Sequence, residues 1–308
     1  MKTFDIVALG EAMVEFNQVR PGEPEYLQGF GGDTSNAAIA AARAGARSAY
    51  LTRLGDDPFG RWLRELWRRE GVDTDAIETD PQATTGIYFV SHGPQGHEFS
   101  YRRADSAAAR MTPQWLQSGA AAAAIRSARF LHVSGISMAI SASACDTVLA
   151  AMDLARAAGV QVAFDSNLRL KLWPRETAAA AYAQALQRTD LFLPSLDDIT
   201  ALTGETDPEA VLAWGHASGA RQVVLKLGAE GALASDGTRR QRIAPMRVKA
   251  VDATGAGDCF AGNLLAQLAA GDDLFAAARY ANAAAALAVQ GFGAVAPLPR
   301  PEAVKALL

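Results

Sequence analysis

The stretch Val251-Asp252-Ala253-Thr254-Gly255-Ala256-Gly257-Asp258-Cys259-Phe260-Ala261-Gly262 leads into an apolar, helix-forming segment that runs through Leu268. Small residues at 255–257 let another group come close to the backbone. The N–H groups of a helix's first turn lack partners within the helix and sit at the positive end of its dipole. Together these features meet the requirements of a phosphate anion hole. A phosphoryl group in transfer spreads charge over its equatorial oxygens, so fixed donors here stabilise the transition state. A carboxylate alongside can accept the proton of an attacking hydroxyl. Gly255, Ala256 and Gly257 are the candidate hole and Asp258 the candidate base. Taken alone, the tetrapeptide is equally compatible with a helix start and its capping acid.

Outward from this segment, short β-like runs alternate with alanine-rich helical stretches. Strands are expected at Phe4 to Leu9, Ser48 to Leu54, Phe130 to Ser134, Val160 to Asp165, Leu191 to Pro194 and Val223 to Leu227. Helices are expected at Thr34 to Arg43, Phe59 to Arg69 and Ser143 to Ala158. That rhythm predicts an α/β fold with a mainly parallel sheet, whose ligand lies beyond the strand ends. Phe16 to Gly29 breaks it, as do Thr85 to Val90 and Glu98 to Arg102, which flank the turn-rich His92-Gly93-Pro94-Gln95-Gly96. The second interruption reads as an inserted hairpin, a candidate lid. The run Ala120 to Ala124 reads as a packing or surface helix.

Length and composition narrow the function. The 308 residues allow two domains, or one large domain with an appendage, on a prior of roughly 150 residues per domain. Half the residues are hydrophobic and a fifth charged, the balance of a soluble globular protein. With 29 basic and 33 acidic side chains the formal net charge is −4, which argues against a nucleic-acid or anionic-membrane partner. Cys145 and Cys259 are too few and too far apart for a disulfide framework or a multi-cysteine zinc site, and a reducing cytosol is the simplest setting. No signal-peptide pattern or membrane span is expected. There is no P-loop, no G-x-G-x-x-G turn, no protein-kinase motif set and no G-x-S-x-G elbow. His92, His97, His132 and His216 do not cluster and read as surface or hydrogen-bonded structural residues.

A second glycine cluster, Gly29-Phe30-Gly31-Gly32-Asp33-Thr34-Ser35-Asn36, opens a helix near the other end of the chain. Its glycines would admit a small polyol to the backbone, with Asp33 and Asn36 offering oxygens and an amide to hydroxyl groups. The same residues also suit a glycine-rich turn with Asp33 or Thr34 as N-cap. Gly31 to Gly60, with Ala44-Gly45 and Leu54-Gly55-Asp56-Asp57-Pro58-Phe59-Gly60, together with Asp252 to Asp258, resembles the two motifs of the ribokinase-like (PfkB) carbohydrate kinases. The resemblance spans practically the whole chain. It implies a three-layer α/β sandwich over residues 1–308, with a small β lid from about 14–30 and 84–104. It further implies ATP as co-substrate, a magnesium ion, Gly255 to Gly257 as anion hole and Asp258 as catalytic base. Gly31, Gly32, Asp33 and Asn36 would bind the sugar. Ala253 departs from the family, where many members have threonine.

The segments Thr85-Gly86-Ile87-Tyr88, Phe99-Ser100-Tyr101-Arg102-Arg103, Asp105-Ser106-Ala107-Ala108, Ser134-Gly135-Ile136-Ser137, Phe164-Asp165-Ser166-Asn167-Leu168-Arg169 and Leu193-Pro194-Ser195-Leu196-Asp197-Asp198 resemble those of 2-keto-3-deoxygluconate kinases within the family. Such a substrate carries a carboxylate, which an arginine fork binds bidentately. The resemblance places Tyr88, Tyr101, Arg103 and Arg169 at the substrate. Arg102 stands where relatives are usually aromatic, which leaves open how the two neighbouring arginines divide the work. Glu15 replaces the shorter aspartate of many neutral-sugar relatives and weakens the ribokinase and fructokinase readings. For the nucleotide, Lys226, Gly228 and Gly231 resemble the strand-turn beside ATP, Asn282 the helix that lines the adenine, and Asn167 a phosphate contact. Ser195 and Asp198 stand in place of the usual Asn-x-x-Glu pair, making Asp198 a candidate magnesium contact through water. Asp252 would help bind a monovalent cation such as K⁺. The expected function is ATP-dependent phosphorylation of a sugar acid. A fructokinase or another sugar-acid kinase is the alternative, and a catalytically silent sugar sensor stands as the reading from a different class. The exposed edges of a projecting hairpin lead us to expect a homo-oligomer.

Overall fold

The computed structural model describes residues 2–93 and 96–308, except for the side chain of His97. The expected turn at Pro94 and Gln95, and the reading of His97 as a structural side chain, therefore lie outside the described residues. The central sheet contains β1 (Phe4–Leu9), β4 (Ser48–Leu51), β9 (Ala128–Ser134), β10 (Gln161–Asp165), β11 (Leu191–Leu193), β12 (Gln222–Lys226), β13 (Ala232–Ser235) and β14 (Arg240–Ile243). Its spatial order is β14-β13-β12-β11-β10-β9-β1-β4. From β4 to β12 neighbouring strands run parallel, and β13 and β14 add an antiparallel margin. Side chains alternate between the two faces along each strand, so β1 sends Val7 and Leu9 into one apolar layer and Ile6 into the other. A strand buried on both faces reads as a continuous apolar run, the signal visible in Phe4 to Leu9.

Helices cover both faces. They are α1 (Asp33–Arg43), α2 (Pro58–Arg69), α3 (Gly119–Arg126), α4 (Gly135–Ala139), α5 (Ala142–Ala157), α6 (Arg175–Leu186), α7 (Leu196–Thr203), α8 (Pro208–Ala217), α9 (Ala256–Ala270), α10 (Leu274–Ala288) and α11 (Pro301–Leu307). One layer packs α3, α5, α6 and α8 against Leu131, Val162, Phe164 and Val223; the other packs α1, α9 and α10 against Ile6, Phe130, Ala163 and Val224. Local sequence sets the helix starts. Asp57, Ser141, Ser195, Asp207 and Asp273 cap α2, α5, α7, α8 and α10 with side-chain oxygens, and Pro58 and Pro208 occupy first-turn positions where no N–H is missed.

A four-stranded sheet stands apart from the central one, in the order β3-β2-β7-β8. It comprises β2 (Met13–Gln18), β3 (Tyr26–Gly31), β7 (Ile87–Gly93) and β8 (Gly96–Arg102). The expected strand from Ser48 to Leu54 is split in the structure. Residues 48–51 stay in the central sheet, whereas β5 (Arg53–Gly55) leaves it to pair in parallel with β6 (Glu78–Asp80). The divergence starts at Thr52, whose carbonyl accepts the N–H of Glu78.

Candidate active site

Close helix packing brings the two glycine clusters together. Helices α1 and α9 meet through Ala37, Ala40 and Gly262, and a Cβ on Gly262 would lie 2.2 Å from the Ala37 carbonyl oxygen. Only glycine allows this approach, which sets the first turns of the two helices side by side. Asn36 Nδ2 then donates to Asp258 Oδ2 at 2.8 Å, joining residues 222 positions apart in the chain. Gly255 precedes α9 in the left-handed conformation (φ 75°), which turns the chain into the helix. Neither Gly257 nor Asp258 finds an acceptor for its backbone N–H among the described residues. A Cβ on Gly257 would enter open space, with Lys226 Nζ its one near neighbour at 3.4 Å. The first turn of α9 thus combines unspent donors, room for a ligand and a nearby ammonium, the set expected of an anion hole.

Carboxylates crowd this turn. Asp33 Oδ2 accepts from Asn167 Nδ2 at 2.9 Å, and Asn167 holds a positive φ of 31° at the end of β10. The buried Asp165 carboxylate takes both contacts of Lys226 Nζ, at 2.8 and 2.7 Å. Burial, reinforced by the charges of Asp33 and Asp165 and opposed by the Asn36 amide and Lys226, pushes the Asp258 carboxyl up to about 7. Asp165 is likewise raised, chiefly by burial, with Lys226 opposing. His132 is buried in β9 and fits the hydrogen-bonded structural reading through a bond with the Ala163 backbone; its Nδ1 has no partner among the described residues, and burial brings its pKa down to about 4.

The other expected residues fall into three groups. Gly31, Tyr88, Tyr101 and Arg103 come together at the base of the four-stranded sheet. The Tyr88 hydroxyl donates to Glu15 and would collide with a Cβ on Gly31, Tyr88 stacks on Tyr101 at 5.6 Å, and Arg103 lies 5.8 Å from the Tyr101 ring centroid. The Tyr88 phenol is held above its ordinary range by burial and by the neighbouring Glu15 charge. At the ends of β10 to β12, Ser166 Oγ donates to Asp198 Oδ2 at 2.6 Å, Ser195 caps α7, and Lys226 leads into the turn of Gly228 and Gly231. Asp252 ties down its own loop, accepting from Thr254 at 2.9 and 2.6 Å and from Gly293 N at 2.9 Å. Asn282 is buried in α10 and donates to the Ala244 carbonyl. Arg169 is exposed, with a hydrogen bond to the carbonyl of Leu168. Arg102 is exposed as well and bonds the Tyr101 carbonyl. Arg103 is not a free fork, for its Nε donates to Glu11 Oε2 at 2.7 Å.

Sequence reasoning gave no role to Glu11 or Asp165. Both are carboxylates at or just past the C-terminal end of a buried strand, where ligands of open α/β sheets lie, and that position was the available signal. The described residues contain no cluster of three or more potential metal ligands.

A family model described as "pfkB family carbohydrate kinase" matches residues 3–301. The chain belongs to the pfkB family of carbohydrate kinases. Among the relatives of this pfkB chain is the 2-dehydro-3-deoxygluconokinase of Thermoproteus tenax, 38% identical over 98% of this chain and 94% of that protein. Another is the probable fructokinase-4 of Arabidopsis thaliana, 33% identical over 98% of this chain and 96% of the relative. The crystal structure of a Xylella fastidiosa fructokinase with bound ATP superposes with a TM-score of 0.90, at 28% identity, covering 100% of this chain and 98% of that one. The expected ribokinase-like α/β fold is therefore the fold of this pfkB kinase.

Proposed function

We propose that this kinase transfers the γ-phosphoryl group of ATP to the terminal hydroxyl of 2-keto-3-deoxy-D-gluconate, giving 2-keto-3-deoxy-6-phosphogluconate in the cytosol. The observation that carries the phosphoryl-transfer part is the first turn of α9, where open donors, Lys226 and Asp258 converge on one point. In this reading the expected hole of Gly255, Ala256 and Gly257 receives the transferring phosphoryl oxygens on the open N–H groups of Gly257 and Asp258, that of Ala256 being taken by the Ala253 carbonyl, and Lys226 adds positive charge beside them. Asp258 takes the proton of the attacking hydroxyl. A carboxyl poised at about 7 is a better proton acceptor than an ordinary aspartate and is still largely ionised above neutrality. Asn36 orients the carboxylate through its amide.

For the nucleotide, Asn167 would contact phosphate, Gly228 and Gly231 would let ATP approach the end of β12, and Asn282 would border the adenine. The carboxylate of Asp198, held by Ser166 and near Asp165, suits an ion carried in on the polyphosphate, since magnesium commonly uses one or two carboxylates and completes its shell with phosphate and water. Such an ion would neutralise charge on the polyphosphate. Asp252, already committed to Thr254 and Gly293, would offer its carboxylate to a monovalent cation.

Gly31, Gly32, Asp33 and Asn36 would meet the sugar on one side, and Tyr88, Tyr101, Arg103 and Arg169 on the other, with the four-stranded sheet acting as a lid. The sugar-acid assignment draws on the relative from T. tenax and on the two arginines. A fructokinase remains the alternative in view of the A. thaliana relative. The edge strands β3 and β8 expose Leu27 and Phe99, and a second copy of the chain covering them is the homo-oligomer we propose. The functional reading is tested by incubating the protein with ATP, magnesium and the keto acid and following ³¹P resonances. A phosphomonoester coupled to the terminal methylene protons is expected. Absence of ATP consumption with any sugar or sugar acid would favour the sensor instead.

A further inference from the structure

Glu11 stands where the central sheet hands the chain to the four-stranded sheet, between the end of β1 and the start of β2. Its side chain is fully buried. The chain crosses between the two sheets at three other places, namely after β3, before β7 and after β8, and Glu11 touches each of them. Its carbonyl oxygen would lie 2.6 Å from a Cβ on Gly32, just after β3. Its Oε1 would lie 2.9 Å from a Cβ on Gly86, just before β7. After β8, Arg103 Nε donates to Oε2 at 2.7 Å and Ser106 Oγ donates to Oε1 at 2.5 Å. The glycines at 32 and 86 are thus what leaves room for the carboxylate and its backbone.

A buried carboxylate needs a counter-charge, and a buried guanidinium has little freedom once it has one. Glu11 takes the Nε edge of Arg103, with Nη2 against the same carboxylate. Nη2 is thus buried against Glu11, and among the described residues no hydrogen bond engages Nη1. The guanidinium therefore lies between Glu11 and the face of Tyr101, with Nη1 alone left to donate. We infer that Glu11 is a positioning residue for sugar recognition. It clamps the four crossings so that the Tyr88–Tyr101–Arg103 wall faces the glycine cluster, and by holding Nε and Nη2 it leaves Nη1 of Arg103 to meet the acidic end of the sugar. The inference rests on the proposed sugar-kinase function and adds Glu11, through Arg103, to its specificity.

A double-mutant cycle on the intact enzyme tests it, with Glu11→Gln, Arg103→Ala and the double variant assayed for KM and kcat on the keto acid and on ATP. Glutamine keeps the shape and an acceptor but removes the charge. Each single substitution is expected to raise KM for the sugar acid by about tenfold or more, with KM for ATP changed less than about twofold. Because Glu11 acts through Arg103, the double variant should be no worse than the weaker single. Losses that multiply in the double variant, or equal damage to both KM values and kcat, would overturn the inference. If Glu11→Gln alone does not fold, Glu11→Met with Arg103→Met removes both buried charges together and is compared with Arg103→Met. Equal KM values are expected, and a further tenfold rise would refute the coupling. Turnover of the keto acid by the parent protein reports separately on the functional reading, and if the parent phosphorylates no sugar the inference falls with that reading.

Discussion

Around Asp258 the carboxylates of Asp33 and Asp165 and the ammonium of Lys226 act together, and the raised pKa has consequences of opposite sign for rate and stability. The base must be ionised to accept a proton, so kcat/KM should fall about tenfold per pH unit below about 7 and level off above it. A pH–rate profile with its acid limb at 4 would contradict this. The folded state holds its proton to higher pH than the unfolded chain, so the group favours folding in acid and loses that contribution as pH rises through about 7. Asp258→Asn should therefore lower kcat by at least about a hundredfold while leaving ATP affinity nearly intact. It should also raise Tm relative to the parent at pH 8, with a smaller gap at pH 5.5. Near-normal turnover of the variant would remove Asp258 from the mechanism. Arg169, exposed and free of any carboxylate, is a cleaner probe of the sugar's acidic end than Arg103. Arg169→Ala should cut kcat/KM for the keto acid by about ten- to a hundredfold, since hydrogen bonds to charged groups contribute roughly 1.5 to 3 kcal/mol. Steady-state kinetics on fructose should show a smaller loss; an equal loss on both substrates would detach Arg169 from carboxylate recognition.

Among the elements, the junction of α1 and α9 decides whether Asn36 reaches Asp258. Gly262→Ala puts a methyl against the Ala37 carbonyl, and the helices must part. Overpacking of this kind costs about 1 to 3 kcal/mol, and a calorimetric melt should show the loss along with reduced kcat. Gly257→Val differs, because the space beside Gly257 is open. It should impair catalysis while leaving the melt close to the parent's, and full activity would mean that no anion uses the hole. Much of this element-scale architecture was legible beforehand. Apolar runs such as Phe4 to Leu9 and alanine-rich stretches such as Ser143 to Ala158 carry their periods locally, and the structure places β1 and α5 within a residue or so of them. The departure of the chain from the central sheet after Leu51 was not legible, because β5 pairs with a strand more than twenty residues away and nothing local announces it. At the site, Asp258 and Asn36 were readable from their glycine contexts. The engagement of Arg103 by Glu11 was not, since a buried ion pair 92 residues apart in the chain leaves no periodic trace.

For the molecule as a whole, a central sheet with helices on both faces brings the C-terminal ends of β10 and β12 to the first turns of α1 and α9, and Glu11 ties the four-stranded sheet to the central one. No described helix is long and apolar enough to cross a membrane. Leu27 and Phe99 lie on the two outermost strands of the smaller sheet, and light scattering at micromolar concentration should give a mass above the 32.4 kDa of one chain. A monomeric mass would leave those edges without the partner proposed for them. Preference for an acidic over a neutral sugar is what the proposed function asserts. It is tested most directly by kcat/KM of the parent protein for 2-keto-3-deoxygluconate and for fructose, measured side by side with ATP and magnesium. The keto acid should be preferred by at least tenfold, and a fructose value equal to or above that of the keto acid would refute the substrate assignment.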